Sequence, residues 1–165
     1  MKNCIYFVEG ECEKQLLSAL KANPSLILPG KVKVRNVINS IIPMSELIGI
    51  KPKTDVVLLF DTDVCQTDIL RTNIKNIKKC GSSITVVTVL QIPNLEKELI
   101  LSTDVSDIID LTRSKSVSDF KHDFCKMNDS RYTLERHSFD INKIWIQKPS
   151  GVFSFLDQQG NRIKK

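Results

Sequence analysis

Residues 55–63 of the chain read Asp-Val-Val-Leu-Leu-Phe-Asp-Thr-Asp, a continuous apolar run that ends in two carboxylates. Such an uninterrupted run is typical of a β-strand that is covered on both faces, as in a parallel sheet. A helical pattern follows over 67–79 with Gly81 at its end, and a Val- and Thr-rich run follows over 84–90. The stretch therefore predicts the centre of a parallel α/β sheet.

The N-terminal part of the chain shows the same alternation of strand and helix. Residues 5–8 predict a first strand and residues 11–21 a helix with apolar side chains at helical spacing. Residues 31–37 alternate strictly, as in an edge strand, and residues 43–50 predict a short helix. We therefore expect a doubly wound, mainly parallel, Rossmann-like α/β sheet with helices on both faces.

The pattern becomes looser after Pro93. We expect three more helices, then a last strand and a packing anchor at Trp145, over 94–101, 104–111, 116–127, 137–139 and 144–146. With 165 residues, the chain reads as one domain over 1–165. Residues 3–90 would form its core and residues 91–165 a C-terminal elaboration.

Composition excludes some classes of protein. The chain is 41% hydrophobic and 26% charged, and no apolar run approaches the ~20 residues of a membrane span. The short apolar N-terminus has no small-residue cleavage site, so we expect no secretory signal and a cytoplasmic protein. The five cysteines are widely spaced and form no CxxC pair. We therefore expect reduced thiols, with neither a disulfide nor a zinc site.

The net charge of +5 has an uneven distribution. Residues 66–81 contain Asp68 and four basic side chains, at Arg71, Lys75, Lys78 and Lys79. A basic segment directly after an acidic motif is compatible with a polyanionic partner such as nucleic acid. The alternative is a solvated helix face.

Carboxylates follow two of the predicted buried strands. Glu9-Gly10 follows the strand 5–8, and Asp61 and Asp63 follow the strand 55–60. The carboxyl ends of parallel strands meet at one edge of a sheet, where such folds place their ligands. Clustered carboxylates repel one another unless a cation neutralises them, and oxygen ligands favour Mg²⁺ or Mn²⁺. The alternative is ordinary turn and helix-capping chemistry.

These motifs resemble those of the Toprim domain. The stretch Phe7-Val8-Glu9-Gly10 precedes a helix, and Leu58-Leu59-Phe60-Asp61-Thr62-Asp63 follows some fifty residues later. The Toprim family includes topoisomerases, DnaG-type primases, stand-alone ribonucleases and the overcoming-lysogenization-defect (OLD) nucleases. The resemblance implies acid/base and metal roles for Glu9, and Mg²⁺ binding by Asp61 and Asp63. It also implies a metal-holding role for Glu13, since OLD nucleases have an acidic residue at that offset.

Two further residues are weaker candidates. Glu96 follows the strand 84–90 and could supply a second metal, although it also suits the first turn of a helix capped by Asn94. Toprim-like nucleases often need a lysine near the metal, and Lys148 is a candidate for that role. His122 and His137 are interpreted as surface residues.

The resemblance implies a Mg²⁺-dependent phosphodiester hydrolase that acts on DNA or RNA, in genome defence or RNA processing. One alternative is a non-catalytic Toprim-like module that works with a protein partner or as a homo-oligomer, because accessory domains are missing. A haloacid-dehalogenase-like phosphatase is disfavoured, because Cys65 stands where that motif needs a threonine and Glu9 has no role there. Neither tyrosine lies in a nucleophile context.

Overall fold

The centre of the molecule is a parallel β-sheet. The computed structural model describes residues 3–165, and within them four strands lie in the order β2-β1-β3-β4 with every neighbouring pair parallel. The strands are β1 (Asn3–Val8), β2 (Lys31–Val34), β3 (Thr54–Asp61) and β4 (Thr85–Gln91). The strand pairs reach as far as Val8 with Leu59 and Asp61 with Gln91. The predicted α/β class and its parallel sheet are confirmed.

The helices lie on both faces of this sheet. They are α1 (Glu11–Lys21), α2 (Met44–Ile48), α3 (Asp68–Lys79), α4 (Leu95–Ser102), α5 (Ile108–Thr112), α6 (Val117–Lys126) and α7 (Ser130–Arg136). Apolar residues of α1 and α4 to α7 pack in one core, and those of α2 and α3 pack in the other. We call these the α1-side core and the α3-side core. This arrangement is compatible with a Rossmann-like fold.

The winding direction of the sheet reverses between β1 and β3. From β1 the chain continues through α1 to β2 on one side, and from β3 it continues through α3 to β4 on the other. Such a switch point leaves a crevice at the carboxyl ends of the two central strands. Any side chain that directly follows β1 or ends β3 is therefore placed at the edge where α/β proteins bind ligands.

Two local predictions differ from the structure. The second strand ends at Val34, three residues early, because the Asn36 side chain accepts from the backbone N–H groups of Ile38 and Asn39 and starts a turn. The helix α7 was not expected. Its N-terminus is capped by Asp129, which accepts from the Tyr132 N–H.

The C-terminal tail contains no strand in the part of the chain that the structure describes, so the predicted last strand is wrong. Instead, Gln158 pairs with β4 through its side-chain amide. Its Nε2 donates to the Leu90 carbonyl at 2.7 Å, and its Oε1 accepts from the Leu90 N–H at 3.2 Å. Gln159 accepts from the Thr88 N–H through its side-chain Oε1 and donates to the Thr88 carbonyl through its backbone N–H. These contacts cover the open edge of β4, as edge strands require. Trp145 is fully buried and confirms the packing anchor.

Gly160 allows the tail to approach Trp145. A Cβ at position 160 would lie 2.5 Å from the Trp145 carbonyl oxygen and 2.6 Å from the Trp145 Cβ. We expect Gly160→Ala to lower the free energy of unfolding by about 2 to 3 kcal/mol, because these neighbours are backbone-linked and cannot yield cheaply. Gly49→Ala is the matched control, because nothing lies within 4 Å of its Cβ position. Urea denaturation of the two variants measures the difference, and equal midpoints would contradict the expected clash.

Cys12 and Cys125 form a disulfide between α1 and α6, with 4.9 Å between their Cα atoms. The prediction that all cysteines are reduced is therefore wrong for this pair. The two residues are 113 positions apart, so spacing along the chain could not reveal them. The bond joins α1, which follows β1, to α6, and both helices pack in the α1-side core.

Candidate functional site

The crevice between β1 and β3 holds Glu9 and Asp61. Glu9 follows the last residue of β1 and Asp61 is the last residue of β3. The Asp61 N–H donates to Glu9 Oε2 at 3.1 Å, which joins the two positions directly. The structure thus brings together two residues that are 52 positions apart in the sequence.

Asn36 fixes the other oxygen of Glu9. Its Nδ2 donates to Glu9 Oε1 at 2.9 Å, while its Oδ1 is held by the turn after β2. The Glu9 carboxylate is therefore oriented by a side chain from one neighbouring strand end and by a backbone N–H from the other. Asn36 was not expected from the sequence, because its contact with Glu9 depends on the parallel pairing of β1 with β2.

Glu13 lies in the first turn of α1 and is only 6% exposed. Its Oε2 accepts from the Gly10 N–H at 2.9 Å, which satisfies a donor at the start of the helix. Burial raises the pKa of Glu13, and the neighbouring Glu9 raises it further, against the lowering effect of the backbone donors. The structure therefore places Glu13 close enough to Glu9 for the two carboxylates to repel each other.

Asp61 is the electrostatic centre of the crevice. Its Oδ1 accepts from the Leu95 N–H at the start of α4, at 3.1 Å. Burial raises the pKa of Asp61 to about 8, and repulsion from nearby carboxylates adds to the effect of burial. These neighbours are Glu13, Glu9, Asp63 and Glu96. We call the five residues Glu9, Glu13, Asp61, Asp63 and Glu96 the carboxylate centre.

A lysine from α6 approaches the carboxylate centre. Lys121 Nζ lies 2.9 Å from Glu96 Oε1, and its pKa is raised by this hydrogen bond and by the nearby charges of Asp61 and Glu13. No pattern in the sequence indicated this residue, because α6 begins more than fifty positions after β3. Lys148, the lysine that the resemblance suggested, lines a separate pocket with Trp145 and Asp157.

The remaining predicted residues are Asp63, the four basic residues of α3 and the two histidines. Asp63 is exposed but lies close enough to Asp61 to affect its charge. The four basic residues of α3 line a groove with the C-terminal segment, and no residue of the carboxylate centre lines that groove. His122 is exposed and His137 Nδ1 lies 3.0 Å from Asp104 Oδ1, and neither histidine is among the groups that shift the pKa of Asp61, Glu13 or Lys121.

Gln91 is a further polar residue at this edge. It is the register partner of Asp61 and is fully buried. Neither atom of its side-chain amide has a hydrogen-bond partner within residues 3–165. A buried amide without partners costs about 1 to 3 kcal/mol. Gln91 was not predicted as a site residue, because the sequence pattern does not distinguish it from the other buried residues of its strand.

Comparison with known proteins adds no assignment, because no family model, no curated protein and no solved structure matches this chain. Within the described residues, no helix is both long and apolar enough to cross a membrane. Within the same residues, no three His, Cys, Asp or Glu side chains are grouped as they would be around a bound metal ion.

The raised pKa of Asp61 predicts a dependence of stability on pH. Because the pKa is about 8 in the folded protein and 3.8 in the reference state, the folded protein binds a proton more tightly between these values. The free energy of unfolding should therefore fall as the pH rises from about 4 to about 8. We expect a fall of about 1 to 3 kcal/mol, which Asp61→Asn should largely remove.

Urea denaturation at a series of pH values measures this dependence. Asp110→Asn is a suitable control, because Asp110 is an exposed carboxylate on α5 outside the carboxylate centre. The expectation fails if Asp61→Asn and Asp110→Asn have the same pH profile.

Proposed function

We propose that the protein is a metal-dependent phosphodiester hydrolase that acts on nucleic acid, with its active site at the carboxylate centre. The observation that carries the proposal is the convergence of Glu9, Glu13 and Asp61 at the switch point of a parallel sheet. The motif resemblance to Toprim domains supports the reaction type, and the comparisons do not add to it.

The chemistry of the donors suits a hard divalent cation. The carboxylate centre offers only oxygen ligands, which Mg²⁺ and Mn²⁺ prefer over thiolates and imidazoles. Lys121 interacts with Glu96, Asp61 and Glu13, and the pKa of Asp61 is raised by burial and further by repulsion from the other four carboxylates. A bound cation would relieve this repulsion. Since these side chains are not grouped around a common point, the proposal requires rotation of exposed members such as Asp63.

Each residue has a role that follows from its position. Asp61 and Asp63, with Glu13, would hold the cation, and Glu96 would hold a second one if two are used. Glu9 is oriented by Asn36 and the Asp61 N–H, so it can accept a proton from an attacking water at a fixed position. Lys121 can place its ammonium group against a phosphate oxygen once Glu96 is otherwise engaged. A bound divalent cation would supply Lewis-acid polarisation of the phosphate and of water.

A second candidate is a Toprim-like module that binds metal or nucleic acid without catalysis, alone or in a larger complex. The contact between Lys121 and Glu96 favours this alternative, because it occupies a carboxylate that a second catalytic cation would use.

A cleavage assay separates the two candidates. Purified full-length protein is incubated with labelled single- and double-stranded DNA and RNA, in Mg²⁺, in Mn²⁺ and in EDTA. The proposal expects cleavage that requires the metal and is lost in an Asp61→Ala/Asp63→Ala variant. Binding without cleavage under all conditions would instead support the module, and release of phosphate from small phosphoesters would support a phosphatase.

A further inference from the structure

A groove with basic and aromatic walls lies between α3 and the C-terminal segment. It has a volume of about 490 Å³, and its lining consists of Arg71, Ile74, Lys75, Lys78, Lys79, Phe155 and Leu156. We call it the basic groove. It lies on the α3 side of the sheet, because α3 and Leu156 pack on the α3-side core, whereas α6 packs on the α1-side core.

The cations of the basic groove form one row. Residues three or four positions apart lie on the same face of a helix, so Arg71, Lys75 and Lys78 follow one another at intervals of about 5 to 6 Å. All four basic residues of the groove are exposed. None of them has a salt-bridge partner among residues 3–165. The row therefore presents unneutralised positive charge along the length of α3.

An aromatic ring completes the basic groove. The Arg71 guanidinium carbon lies 3.4 Å from the centroid of the Phe155 ring, and Arg71 Nε also donates to Thr67 Oγ1 at 3.2 Å. Phe155 nevertheless remains 38% exposed. A basic row beside an exposed aromatic ring is the combination that binds single-stranded nucleic acid, because phosphates contact the cations and bases stack on the ring.

We propose that the basic groove binds single-stranded DNA or RNA, with the backbone along α3 and a base against Phe155 or the Arg71 guanidinium. A single row of cations with one stacking platform suits an unpaired strand, because the bases of a duplex keep their faces covered. Arg71 lies in the first turn of α3, directly after the loop that carries Asp63. A strand in the groove would thus lead toward the carboxylate centre, and this last step rests on the proposed function.

Fluorescence anisotropy with a labelled single-stranded oligonucleotide of about 20 nucleotides tests the proposal in EDTA, so that binding is measured without hydrolysis. With up to four phosphate contacts, the logarithm of the binding constant should fall with the logarithm of salt concentration with a slope of about −2 to −3. Lys75→Ala/Lys78→Ala/Lys79→Ala should reduce this slope by about 2. Phe155→Ala should weaken binding about tenfold and leave the slope unchanged.

The matched control is Lys115→Ala/Lys126→Ala/Lys143→Ala, which removes equal charge from exposed positions outside the groove and should bind like wild type. Equal loss in both triple variants would overturn the proposal, because it would show attraction by net charge alone. Equal competition by duplex DNA or by anionic vesicles would also overturn it. A wild type that binds in EDTA but never cleaves refutes the proposed function and leaves the groove proposal standing. Cleavage by the wild type, with no effect of the groove variants, supports the proposed function and refutes the groove proposal.

Discussion

Replacement of both Cys12 and Cys125 by serine should lower the free energy of unfolding by about 4 to 5 kcal/mol. The bond closes a loop between residues that are 113 positions apart, and cross-linking such a long loop removes much of the conformational entropy of the unfolded chain. The effect is large for a domain whose total stability is expected to be about 5 to 15 kcal/mol. Urea denaturation under oxidising conditions measures it directly.

Two controls make this result specific. Cys65→Ser changes an exposed cysteine outside the disulfide and should leave the midpoint unchanged. A dithiol reductant should destabilise the wild type and have little effect on the double serine variant. Thiol titration of the denatured protein should also find two fewer thiols before reduction than after. Identical stability of wild type in the presence and absence of reductant would contradict a structural disulfide.

Asp61→Asn should abolish metal-dependent cleavage while making the protein more stable. In the proposed function Asp61 holds the cation, so its loss should remove several kcal/mol of transition-state stabilisation, equivalent to a fall in rate of about a thousandfold or more. The same substitution removes a buried charge that four neighbouring carboxylates oppose, so it should raise the free energy of unfolding by about 1 to 2 kcal/mol near pH 8. Such opposite changes are a signature of a site in which stability is sacrificed for function.

Glu11→Gln is the control for this pair of measurements. Glu11 lies in the same first turn of α1 as Glu13, but its carboxylate is exposed and paired with Lys14 at 3.0 Å. Both the cleavage rate and the stability should stay near the wild-type values, because an exposed ion pair contributes little. An Asp61→Asn variant that is less stable than wild type at pH 8 would show that Asp61 has a structural role and would contradict the electrostatic account.

The fold could be predicted from the sequence where one local pattern determines the structure. The strand β3 and the helix α3 that follows it were predicted almost to the residue. Burial on both faces of a strand and the apolar face of a helix each produce a recognisable pattern in the sequence. The tail could not be predicted, because Gln158 pairs with β4 through its side chain rather than through a strand. The disulfide was missed for a related reason, since it depends on the packing of α6 against α1.

The candidate site shows the same difference between residues set by local sequence patterns and residues set by long-range packing. Glu9 and Asp61 were predicted as site residues because both lie at the carboxyl ends of buried strands, and the sheet topology brings two such positions together. Lys121 and Asn36 were missed because they reach the crevice through contacts between distant elements. Lys148 was suggested by the resemblance alone, and it lines another pocket. Residues at the ends of the buried strands are thus accessible to sequence reasoning, and residues that reach the crevice from a turn or from a distant helix are not.

Calorimetric titration of Mg²⁺ into the protein without nucleic acid tests the central claim, that the carboxylate centre is a metal site. The account predicts saturable binding by wild type, loss of that binding in Asp61→Asn, and no change in Glu11→Gln. It also predicts proton release near pH 7, seen as heats that depend on the ionisation enthalpy of the buffer, because the pKa of Asp61 is about 8 before the cation binds. Identical heats for wild type and Asp61→Asn would contradict the claim.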